Sequence, residues 1–104
     1  MLPDSKRLAS PAAGAQVSIH GDRWAPIRYV WVANNAQGTV TVYGGPAGAE
    51  ALFTVPAGHH KGSPIGEREM VTVQMAADAP APAATDDVLL CCDVAHLSPT
   101  AGAL

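Results

Sequence analysis

Nine prolines and ten glycines interrupt this 104-residue chain. Only two windows longer than 11 residues lack both, 67–79 and 83–98. Proline cannot continue a helix and glycine weakens one, so long helices have little room. Between the breaks, apolar residues alternate with polar ones or gather in short valine-rich runs, and both patterns signal strands.

Six strands are expected. "AQVSIH" (15–20) alternates Val17 and Ile19 against Gln16 and Ser18. "IRYVWVANN" (27–35) places Ile27, Tyr29 and Trp31 on one face and Val30 and Val32 on the other, as in a central strand. Tyr29 and Trp31 are read as core. "GTVTVYGG" (38–45) follows "NNAQG", a loop whose asparagines and glycine suit a hairpin. "ALFTVP" (51–56) ends at Pro56, which has no amide hydrogen to give a ladder. "REMVTVQMA" (68–76) sets Val71, Val73 and Met75 against Met70, Thr72 and Gln74. "DVLLCCDVAH" (87–96) reads as a strand with Val88, Leu90, Cys92 and Val94 on one face, although Thr85 could cap a helix here. Short strands with turn signals between them predict an all-β fold: an antiparallel β-sandwich or small jelly roll of six to eight short strands.

The core must be built from small side chains. Of 20 alanines, 13 fall in the segments 1–15, 76–84 and 95–103, while valine contributes ten residues and phenylalanine one. Burying a valine or leucine contributes about 1.5–3 kcal/mol, and ordering a residue costs about 1–2 kcal/mol. The alanine-rich segments therefore cannot fold on their own account and are either disordered or held by a neighbouring molecule. On this reading residues 1–14 form an extended N-terminal arm, 15–94 the sandwich and 95–104 a C-terminal tail.

Net charge is −3, and charged residues make up 14% of the chain, below the usual share of about 25%. Such a chain lacks the basic face of a nucleic-acid binder. No apolar run is long enough to span a membrane as a helix, and "MLPDSKRLASP" lacks the apolar core of a signal peptide. Cys91 and Cys92 are adjacent, so on a strand they point to opposite faces, and both are read as buried thiols.

His59, His60 and Lys61 follow the "PAG" turn. "VPAGHH" approaches the P-x-G-x-x-H metal motif of cupins, but Lys61 stands where the histidine should be and no H-x-H partner motif exists. The three side chains are read as facing water or a partner. No nucleophile elbow, activated cysteine or phosphate cradle occurs, so no enzymatic activity, metal or cofactor is expected. Trp24, between Arg23 and Pro26 in a loop, is a candidate anchor for another protein or a sugar.

The run "TVYGGPAGAEALFTVPAGHHKGSP" (41–64) resembles small virion proteins of tailed bacteriophages, in which a valine- and threonine-rich strand leads through a glycine-rich turn to a strand ending "L-[YF]-T-V-P-A-G". The resemblance implies a non-enzymatic structural protein of the virion, made in the host cytoplasm. It would decorate the capsid and contact the major capsid protein, other virion proteins and copies of itself. The expected contacts are Leu2, Lys6, Arg7 and Leu8 in the first arm, Leu97 and Leu104 in the second, and Trp24, His59, His60 and Lys61 on the sandwich. A tail or fibre component, with Trp24 and the His59–Lys61 loop facing a receptor or glycan, is the alternative; a cupin-like metal enzyme is the third.

Overall fold

The computed structural model describes residues 2–21 and 23–94. Eight strands run in chain order: β1 (Leu2–Ala9), β2 (Gln16–His20), β3 (Ile27–Asn35), β4 (Val40–Tyr43), β5 (Ala51–Val55), β6 (His60–Arg68), β7 (Met70–Met75) and β8 (Asp87–Val94). They form two four-stranded sheets, β1-β8-β3-β6 and β2-β7-β4-β5, in which every pairing is antiparallel. Four of these pairs are nested: β4 with β5, β3 with β6, β2 with β7 and β1 with β8. This is the path of one long hairpin wrapped into two layers, which makes the sandwich a jelly roll.

All six expected strands are present, and 87–94 is a strand. Two more were not expected. Residues 1–14 were read as an arm outside the sandwich, yet 2–9 are β1, paired with β8 from Leu2↔Val94 to Ala9↔Asp87. The backbone of β8 supplies the partner that the alanine-poor, charged β1 sequence could not announce. Strand β6 contains Gly62, Pro64 and Gly66, residues that usually argue against a strand. It lies at a sheet edge, where a missing amide hydrogen is tolerated. His60 and Lys61 therefore open a strand instead of sitting in a loop. Residues 95–104, with Leu97 and Leu104, lie outside the described residues.

Valine dominates the space between the sheets. Val30, Val32, Val40, Val42, Val55, Val71, Val73 and Val88 are fully buried, together with Ile19, Ile27 and Leu90. β-Branched side chains suit this position because they are stiff and pack well on a pleated surface. The 76–86 link, whose alanine-rich part was expected to be disordered or held by a neighbouring molecule, makes its contacts within the fold itself. Ala79 packs beside the core, close to where a side chain on Gly38 would stand, and the Asp86 carboxylate accepts from Ala83 N at 2.9 Å.

The faces of β3 differ from the expected ones. Val30, Val32 and Asn34 point inward, whereas Tyr29 is 39% exposed and Trp31 only half-buried. A register shift between Ile27 and Tyr29 lets Ile27 join the core although it is two residues from Tyr29. Such a bulge changes which face a residue occupies. Tyr29 and Trp31 are thus on the outer surface of the sheet and not in the core.

Candidate functional site: the outer face of β8, β3 and β6

Cross-strand register assembles this face. Trp31 of β3 lies opposite Cys91 of β8 and Gly62 of β6, Ala33 lies opposite Leu89 and His60, and Tyr29 lies opposite Asp93 and Pro64. The middle of the face is therefore Leu89, Cys91, Trp31 and Gly62, all half-buried and all uncharged. Charges sit at its margins. Arg7 meets Asp87 at 3.2 Å, and Arg28 meets Glu67 at 3.0 Å. The face thus has an uncharged centre with the two ion pairs and Asp93 around it.

Gly62 shapes the patch. A Cβ at this position would run into the Tyr29 hydroxyl and stand 2.9 Å from Trp31 Cδ1, so both aromatic rings lie across the bare backbone of the edge strand. His60 adds a tilted ring, 5.8 Å from that of Trp31. Gly62→Ala should push both aromatics off β6 while leaving the inward valines in place. The expected result is a shift in tryptophan emission, read in a Trp24→Phe background, with a stability loss of about 1–3 kcal/mol. Unchanged emission would show that the rings do not rest on Gly62.

The two cysteines divide as strand geometry requires. Cys92 is buried at 2% exposure, and Cys91 is half-buried on the outer face, which corrects the reading of both as buried. Both are free thiols. Burial, and then the charges of Asp4, Cys91 and Asp93, push the Cys92 thiol up to about 12. Burial also raises Cys91. Neither thiol has the depressed acidity of a nucleophile.

The other expected contact residues are scattered. Lys6 and Arg7 are exposed on β1, and Leu8 is half-buried against the core. His60 points to the outer face, while Lys61, the next residue, places its ammonium 5.2 Å from the centre of the Phe53 ring on β5. His59 is exposed in the turn that Gly58 makes with a φ of 76°. Among the described residues, no three His, Cys, Asp or Glu side chains come together as a metal site. Trp24 is 63% exposed, with the Arg23 guanidinium 4.8 Å from its ring centre. It lies in the β2–β3 link, whereas the His59 turn joins β5 to β6 at the other end of the sandwich. Trp24 and the His59–Lys61 segment therefore do not form one surface.

At the Trp24 end, Arg68 ties the two sheets together. Its guanidinium holds the Glu50 carboxylate through two bonds of 2.8 and 3.1 Å and packs over Gly44. The hydrogen bond and charge from Arg68 hold the Glu50 carboxyl below its ordinary range. This is a clamp on the β4–β5 loop.

No protein-family model matches the chain, and no curated protein matches it. A solved Bacillus structure, described as "Bacillus endospore appendages form a novel family of disulfide-linked pili", is similar in fold. It matches with a TM-score of 0.51 and 19% identity over 93% of this chain and 88% of that one. At that identity the likeness is one of fold.

Proposed function

We propose that this chain is a non-enzymatic structural subunit that works in many copies, with the outer face of β8, β3 and β6 as its contact surface. One observation carries the reading: the centre of that face is uncharged and presents Trp31, Leu89 and Cys91, with the Arg7–Asp87 and Arg28–Glu67 pairs and Asp93 at its margins. A surface of this kind gains free energy when a second apolar surface covers it.

The phage resemblance suggests decoration of a capsid, with contacts to the major capsid protein and to neighbouring copies. The "LFTVPAG" segment that carries it is β5 and the turn after it. The fold shared with a pilus protein favours a second form of the same function, a fibre made from copies of the chain.

The test is light scattering and electron microscopy of the purified protein over a range of concentrations, with Trp31→Glu as the comparison. Wild type should assemble, and a carboxylate in the centre of the face should abolish assembly. Fibres from the pure chain support the pilus-like form, whereas ordering only on phage heads supports decoration. A wild-type chain that stays monomeric at every concentration and is absent from phage heads would overturn the proposal.

A further inference from the structure

Strand β1 is bound differently from the other strands. Its pairing with β8 is complete, eight residues against eight, but among Asp4, Ser5, Lys6, Arg7, Leu8 and Ala9 only Leu8 is packed against the core. The positions opposite the buried Val88, Leu90 and Cys92 are Leu8, Lys6 and Asp4. Lys6 and Asp4 are exposed, and only Leu8 packs against the core. On the other side, Ser5 and Arg7 are exposed, and the Arg7–Asp87 bridge lies at the surface. Strand β8 has its other edge paired with β3 and is anchored by its own buried side chains. The 10–15 link begins at Ser10, whose φ of 45° is costly for a residue with a side chain.

We propose that β1 is an exchangeable strand: the edge of β8 that it covers also accepts residues 2–9 of a second copy. The occupant needs no further matching, because it is the same sequence in the same register. Every backbone bond and the Leu8 contact are remade, and what changes is the path of the 10–15 link. Reciprocal exchange closes a dimer, and one-way exchange builds a chain of subunits. The inference deepens the proposed assembly but does not depend on the Trp31 face.

Ser5 and Cys91 are direct cross-strand partners, which supplies the test. One preparation carries Ser5→Cys with Cys91→Ser, and a second, distinguishable by a size tag, keeps Ser5 and Cys91. After incubation together at high protein concentration and mild oxidation, exchange predicts a mixed disulfide dimer between the two. In the single variant Ser5→Cys, oxidation at high dilution joins residue 5 to Cys91 within one chain. That locked protein, mixed with the tagged copy, should lose the mixed dimer. Native-state hydrogen exchange should show the β1 amides opening faster than those of β7. Absence of the mixed dimer, or its persistence with the locked protein, overturns exchange; so does protection of β1 equal to that of β7. Trp31→Glu changes no residue of β1 or β8, although Trp31 is the cross-strand partner of Cys91, so a mixed dimer that survives in that background separates strand exchange from the outer-face assembly.

Discussion

Replacing Asn34 with leucine is expected to remove about 4 kcal/mol of stability, a large part of the roughly 5–15 kcal/mol that holds a domain folded. Asn34 is 0% exposed. Its Nδ2 donates to Gly38 O at 2.8 Å and to Val55 O at 2.9 Å, and its Oδ1 accepts from Ala36 N at 3.1 Å. Its backbone is equally engaged: its amide donates to His59 O and its carbonyl accepts from Gly58 N, both at 2.9 Å. One side chain thus joins the end of β3, the β3–β4 turn and the end of β5. Leucine fills the space but leaves two carbonyls and one amide without partners, each costing about 1–3 kcal/mol when buried. The thermal midpoint should fall by roughly 15–30 °C. Asn34→Asp separates the donor from the shape. Its carboxylate would face two carbonyl oxygens, so its pKa in the folded state is raised above the unfolded value of about 3.9. The protonated acid can still donate one bond. Relative to wild type, the stability of Asn34→Asp should therefore be best below about pH 4 and decline as pH rises through the raised value. Urea midpoints at acid and neutral pH check this, and a Leu variant as stable as wild type would refute the role given to the amide.

Alkali should expose the second large effect. The Cys92 thiol has an ordinary value of 9.0 and is pushed up to about 12 in the fold, first by burial. Between those values the unfolded chain has lost the proton and the folded chain has kept it, so stability falls as pH rises. The slope is about 1.4 kcal/mol per pH unit, and the loss is complete near the folded value. The comparison is with Cys92→Val, which keeps an apolar side chain but carries no thiol proton, so that only the Cys92 contribution differs. The difference in unfolding free energy between the two proteins should be flat below pH 9 and then move against wild type. Parallel curves for the two proteins would show that the buried thiol is not linked to folding.

The strands that were legible in the sequence are those with a buried face. Val71, Val73 and Met75 alternate with polar residues because one side of β7 is core. β1 and β6 give no such signal, since edge strands bury little: Asp4, Ser5, Lys6 and Arg7 are all exposed, and Gly62 and Pro64 fit only at an edge. In β3 the residue types misled. Tyr29 and Trp31 are larger and more apolar than Asn34, yet Asn34 is inside, because three hydrogen bonds satisfy it there. Alternation alone cannot choose the inner face when both faces carry apolar side chains. Once the aromatics were assigned inward, the candidate surface was hidden. Its only outward sign was that Cys91 and Leu89 share parity on a strand whose other side was already full. Trp24 was correctly expected in a loop, because Pro26 and Gly21 bracket it.

The nesting of the four pairs has a consequence for how the chain matures on a ribosome. The innermost pair, β4 with β5, closes over a short loop, whereas β1 must wait for β8, at residues 87–94. Pairing between distant segments is entropically slow. Nascent chains should therefore stay open at the outer pair until almost the last described residue has emerged, and only then can the two layers shut.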